Sequence, residues 1–188
     1  MRVSILRHGA TEANEKRLYC GRTDVPLSEY GRHNLAALKK TVAYPSAVIY
    51  ITSGLSRADE SLRILYDREP DAVITEFMEM DFGDFEMKSY DELKDDPEYR
   101  RWIGDVDNRA CTGGESKAGF NNRVTAGLDR LRGMGAGSAV VICHGGVIVS
   151  VLERFFPGQK NFYEWQPEPG RGYTLDIFSE TAASISEI

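Results

Sequence analysis

Apolar positions along this 188-residue chain fall into two spacings: short unbroken runs, and stretches where they recur every third or fourth residue. The unbroken runs read as strands. Residues 3–6 open the chain, 47–51 follow, and 138–143 form the clearest run; the last two are apolar nearly throughout, as expected for strands covered on both faces. Residues 72–75 predict a weaker strand, and 173–178 and 183–188 two more that close the sheet. Helical spacing covers 11–18, a segment capped by Ser28 that runs through Leu35, Leu38 and Val42 towards Pro45, then 55–66, 115–132 and 147–156. Two short helices are expected at 89–94 and 97–103. Between them, 19–27 reads as a loop, 76–86 as an acidic, aromatic and irregular site loop, and 105–114 as the loosest stretch. Strands alternating with helices predict an α/β three-layer sandwich with a largely parallel sheet. The length fits one domain over residues 1–188, with a cap-like segment at about 77–114.

Charge narrows the partners. A formal net charge of −6 argues against nucleic acid or an acidic membrane as the main partner, so any basic site must be a few arginines gathered inside an acidic body. No run approaches the ~18–20 apolar residues of a membrane span. Cys20, Cys111 and Cys143 match no metal or redox spacing and read as reduced thiols, and no basic stretch leads into an apolar signal region. A cytoplasmic protein is the expectation.

In open parallel sheets, ligands bind beyond the carboxyl ends of the strands. That rule puts Arg7-His8-Gly9, Ser53-Gly54-Leu55-Ser56-Arg57 and His144-Gly145-Gly146 side by side. The chain has three histidines, and two of them follow apolar strands and precede glycine. A lone histidine there is more often structural; two at equivalent positions, each with arginine nearby, point to function. A phosphoryl group brings about two negative charges, and arginine offers a planar fork of donors that stays charged. His8 can attack phosphorus only with one ring nitrogen unprotonated, so it must be neutral and held through the other. Gly9 is expected to leave room for the phosphate against the backbone.

The ordered set of motifs is more specific than any one of them. Arg7-His8-Gly9, Thr11-Glu12 and Asn14 are followed by Gly21-Arg22-Thr23-Asp24-Val25-Pro26-Leu27-Ser28 and by Ser53 to Ala58. Glu79-Met80-Asp81-Phe82-Gly83-Asp84-Phe85-Glu86, Gly113-Gly114-Glu115-Ser116 and His144-Gly145-Gly146 complete the set. The chain thereby resembles the histidine phosphatase superfamily, the fold shared with cofactor-dependent phosphoglycerate mutases. The resemblance implies that His8 becomes phosphorylated and that Arg7, Arg57 and His144 complete the phosphate pocket. It further implies that Glu79 is the proton donor and that Asn14, Cys20, Gly21 and Gly145 contact substrate. No metal and no cofactor are implied. Ser53 could orient Arg57 or the sheet end, or cap a helix; His33 reads as structural. Gly54, Ala13, Ala10 and the stretch Ala58-Asp59-Glu60-Ser61 depart from the family's usual residues without removing a charged pocket group.

The interval from Gly83 to Gly114 is compact, without the basic insertion that mutases typically carry, so hydrolysis of a small phosphate monoester is preferred. Arg100-Arg101 could be a basic pair but fits an amphipathic helix equally well. The 79–87 string with Tyr90 and Leu93 looks like the bacterial α-ribazole 5′-phosphate phosphatases of cobalamin assembly. Tyr90, Tyr99, Trp102 and Trp165 could stack on a nucleoside-like base or simply be core. A mutase-type isomerase, a phosphoprotein phosphatase and a non-catalytic phosphate-binding module are the alternatives, and a homodimer stays open.

Overall fold

The computed structural model describes residues 1–179 and 183–188. A six-stranded sheet is built from β1 (Arg2–Arg7), β2 (Ile49–Thr52), β3 (Ala72–Val73), β4 (Ser138–Cys143), β5 (Gly172–Ile177) and β6 (Ala183–Glu187), in the order β3-β2-β4-β1-β5-β6. The first four run parallel; β5 is antiparallel to β1, and β6 to β5. The α/β sandwich with a largely parallel sheet is therefore what the chain forms.

Side-chain alternation divides the core between the two faces. Leu6, Val140 and Ile142 face Leu35 of α2 (Glu29–Thr41) and Ala58, Leu62 and Leu65 of α3 (Ser56–Tyr66). Val3, Ile5, Val141 and Cys143 face Val124 and Leu128 of α6 (Lys117–Gly133) and Val147 and Ile148 of α7 (Gly145–Phe155). Phe77, Phe85, Leu93, Tyr99 and Trp102 belong to that second cluster, so the 77–114 segment shares the sheet's core instead of building its own. Within it lie α4 (Tyr90–Leu93) and α5 (Pro97–Ile103), the latter started by an Asp96 cap and Pro97.

Four elements differ from expectation. The 11–18 helix is a single turn, α1 (Glu12–Glu15), because Arg17 takes a left-handed φ of 54° and ends it. β2 begins at Ile49, opposite Ala139 near the start of its partner strand, and Val48 is 69% exposed. β3 pairs through only two residues. A further one-turn helix, α8 (Phe162–Trp165), was not expected; Asn161 and Glu164 form its capping box, a pattern readable in sequence. Among the described residues, no helix is long and apolar enough to cross a membrane.

Candidate active site

Sheet order brings the three motif-bearing strand ends together, since β4 lies between β1 and β2. Arg7 is paired with Cys143, and the His8 amide donates to the Cys143 carbonyl (2.9 Å). His8 and His144 therefore leave adjacent strands side by side, their ring centroids 5.1 Å apart. On the other flank Ser53 and Arg57 follow β2, with Arg57 in the first turn of α3 and 1% exposed.

His8 Nδ1 lies 2.6 Å from the Gly9 carbonyl oxygen, so Nδ1 carries the proton and donates, leaving the lone pair on Nε2. Burial, followed by the charges of Arg57 and Arg7, holds the ring well below the usual imidazole pKa; the Gly9 hydrogen bond opposes this weakly. The site thus contains a neutral, oriented imidazole. Gly9 also has a packing reason to be glycine, apart from the one expected. A Cβ there would come within 2.6 Å of Leu35 Cδ1 and 3.2 Å of Leu27, so close packing against these two leucines favours glycine at this position.

His144 is fully buried, and its Nε2 lies 2.8 Å from Ser53 Oγ. Ser53 thus orients His144, neither Arg57 nor the sheet end. With the hydroxyl donating to Nε2, the proton of His144 sits on Nδ1, a buried atom without a partner among the described residues. Burial, then His8, Arg57 and Arg7, push this ring's pKa well down too. Arg57 donates Nη1 to the Thr23 carbonyl (2.9 Å) and Nη2 to the Gly21 carbonyl (2.7 Å). Arg7 donates Nη1 to the Pro167 carbonyl (2.9 Å), and its buried Nε has no partner among the described residues.

Glu79 accepts from its neighbour's amide, Met80 N (2.8 Å), and from Gly146 N at the start of α7 (2.9 Å). Burial raises its pKa, against the opposing pull of those two amides, Arg57 and Arg7. A raised carboxyl next to a neutral imidazole is the pairing that acid catalysis beside a nucleophile requires. Gly146 is fixed by this contact, because a Cβ there would lie 2.4 Å from Glu79 Oε1.

Arg7, His8, Glu79, Asn14, Cys20 and Gly145 line one cavity of about 490 Å³. Arg57 and His144 are buried and are not among its lining residues. Asn14 Oδ1 is occupied by Thr11 N and Oγ1, which leaves its amide group as the end for a ligand. Gly21 departs from its expected part: its N–H goes to the Glu86 carboxylate and its carbonyl to Arg57, so it positions an arginine and offers substrate no amide. Sequence reasoning missed Glu86. Its carboxylate accepts from the amides of Gly21, Arg22, Thr23 and Phe82 and from Thr23 Oγ1, tying the 20–23 loop to the acid loop. Asp- or Glu-centred backbone networks of this kind leave no local sequence pattern.

The aromatic residues divide. Trp102 lines the cavity with Tyr19, Phe82, Phe120 and Phe162, whereas Tyr90 is 60% exposed and Tyr99 and Trp165 are core. Arg100 and Arg101 pair with Asp95 and Glu98 outside the cavity. Among the described residues no three His, Cys, Asp or Glu side chains converge as a metal site.

Comparison with known proteins identifies the family of the chain and of its fold. The family model for the histidine phosphatase superfamily (branch 1) matches residues 3–182. A Salmonella typhimurium protein named adenosylcobalamin/alpha-ribazole phosphatase is 29% identical over 183 residues, 94% of this chain and 91% of the relative. Its namesake in Escherichia coli K12 is 33% identical over 159 residues, 82% of this chain and 78% of the relative. The crystal structure of the alpha-ribazole phosphatase from Shigella flexneri superposes with a TM-score of 0.86 at 27% identity, covering 99% of this chain and 95% of that one.

Proposed function

The chain belongs to the histidine phosphatase superfamily, and from that premise we propose that it hydrolyses α-ribazole 5′-phosphate through a phosphohistidine formed at His8. It is a phosphatase with the phosphoglycerate mutase-like fold. In the first step His8 Nε2 bonds to phosphorus while the bond from phosphorus to the ester oxygen breaks, and that oxygen takes the Glu79 proton. In the second, water bonds to phosphorus, its proton passes to Glu79, and the bond from nitrogen to phosphorus breaks. Neutral His8 and inorganic phosphate result. Arg7, Arg57 and the idle Nδ1 proton of His144 supply donors for the phosphoryl oxygens. Asn14, Cys20 and Gly145 contact the ester from the cavity wall.

One observation carries the substrate: the cavity that holds His8 and Glu79 continues along an apolar wall of Phe82, Trp102, Val106, Phe120 and Val149. Besides Arg7, its lining contains one cation, Lys117, and that is paired with Asp107 at 2.8 Å. Such a wall suits a flat, uncharged ring system and, beyond Arg7, offers no unpaired cation to the carboxylate of a phosphoglycerate. The three unpaired cysteines support a cytoplasmic enzyme.

The test is kcat/KM for phosphate release from α-ribazole 5′-phosphate, ribose 5-phosphate and 3-phosphoglycerate. Burying a fused aromatic ring is worth ~3 kcal/mol at ~25 cal/mol per Å², so α-ribazole 5′-phosphate should lead by roughly 100-fold. Equal or better turnover of either smaller ester would refute the substrate, and isomerised 3-phosphoglycerate would favour the mutase.

A further inference from the structure

Glu79 lies in an irregular segment between two single 3-10 turns, Thr75–Phe77 and Gly83–Phe85, with no strand or long helix to hold its backbone. A general acid misplaced by even ~1 Å loses much of its effect, so something else must fix this segment. We propose that Arg123, locked by Glu115, is the positioning residue that holds Glu79 for proton transfer, an inference that rests on the phosphatase reading of Glu79 given above.

The guanidinium of Arg123 uses every donor it has. Nε and Nη2 form a fork on the Glu115 carboxylate, both at 2.7 Å. Nη1 donates to the carbonyls of Glu76 (2.8 Å) and Met78 (2.9 Å), and Nη2 also donates to the carbonyl of Glu79 itself (3.2 Å). Glu115 then holds the other side of the acid: its Oε2 accepts from Asp81 N (3.0 Å), and its own amide donates to the Asp81 carbonyl (2.9 Å). One ion pair thereby pins the backbone at 76, 78, 79 and 81, bracketing the catalytic carboxyl.

The anchor is rigid. Arg123 projects from α6, a 17-residue helix, whose Gly127 lets Phe77 approach so closely that a Cβ would stand 2.8 Å from its ring. Arg123 and Glu115 side chains are 17% and 22% exposed, so the pair is shielded from solvent far more than the surface pairs whose net worth is near zero. Lysine could replace the charge but not the planar fork that reaches a carboxylate and three carbonyls at once.

A staple that merely supports the fold and one that aims an acid differ in leaving-group dependence. An alkoxide needs the Glu79 proton; p-nitrophenolate barely does. The kcat/KM value reports the steps through His8 phosphorylation, so it isolates proton donation. Arg123→Met in the full chain should lose roughly 30–100-fold on an alkyl ester such as ribose 5-phosphate and under about 3-fold on p-nitrophenyl phosphate, within the ~10²–10⁴ range of acid catalysis. Arg123→Lys should fall between wild type and Arg123→Met, and it provides the same readout should the methionine variant not fold. Equal losses on both esters, or no loss on either, overturn the proposal. Glu79→Gln run alongside separates the two claims. If it shows the split and the Arg123 variants do not, only the positioning role fails; if it shows none, the acid assignment fails and takes the positioning role with it.

Discussion

Taking the protein from pH 7.5 to pH 5.5 should cost stability through two histidines alone, up to a ceiling of roughly 2–3 kcal/mol if the native state takes up neither proton. His8 and His144 are 5% and 0% exposed, and burial together with Arg57 and Arg7 holds both pKa values well below that of free imidazole. In the unfolded chain each titrates near pH ~6.5. As the pH falls past that value the unfolded chain takes up protons that the native state refuses, so stability is complete above the unfolded pKa and drops below it. Each imidazole then contributes at most a little over ~1 kcal/mol between the two pH values, and the pair at most about twice that. Glu79 works with the opposite sign, because its raised pKa lets the native state gain a proton before the unfolded chain does. Comparing wild type with His8→Asn removes that shared term. Urea unfolding followed by the fluorescence of the buried Trp102 and Trp165, in phosphate-free buffer, should show the variant losing less stability than wild type across the interval, by up to ~1 kcal/mol. Parallel pH dependence in the two proteins would refute the claim that His8 is held neutral.

Two further substitutions probe how the reacting groups are held. Ser53→Ala removes the hydroxyl that sets the proton position on His144; it should lower kcat/KM by roughly 10-fold or more and stability by ~1–3 kcal/mol, measured by kinetics and thermal unfolding. Gly146→Ala places a Cβ 2.4 Å from Glu79 Oε1 and should slow alkyl esters more than aryl ones, whereas Gly133→Ala, whose Cβ meets nothing, should leave both rates unchanged.

What could be read from sequence follows a physical division. β4 was legible because a strand covered on both faces must be apolar throughout, and its six residues are all at least partly buried. His8, Arg57 and His144 were legible because parallel strands deliver their carboxyl ends to one place. Single-turn helices such as α1 are too short to show a period, and exposed Val48 carries the same letter as a buried valine. Beside nearer contacts, Ser53, Glu86 and Arg123 reach by hydrogen bonds to atoms 44 to 91 positions away in the sequence, among them main-chain amides and carbonyls that every residue possesses. No side-chain pattern encodes such partners. Gly9 shows how a motif position hides a second constraint, since a Cβ there would also run into Leu35.

The same hydrogen bonds explain how a chain of net charge −6 keeps a pocket able to take a dianion. Arg7 and Arg57 are held by carbonyl oxygens of Pro167, Gly21 and Thr23, and among the described residues neither has a carboxylate ion-pair partner. Carbonyls orient a guanidinium without cancelling its charge, so both arginines remain available to phosphoryl oxygens. The nearby carboxylates are kept out of the competition: Glu86 is saturated by backbone amides and Glu115 by Arg123. Glu79 stands in the pocket wall itself, and there its raised pKa does two things. It makes the proton that the leaving oxygen needs easier to hold, and whenever that proton is on, the incoming phosphate meets one repulsive charge fewer. Burial of that one carboxyl thus serves binding and chemistry together, which ties the acid limb of catalysis to substrate affinity: ionising Glu79 should raise KM as well as lower kcat.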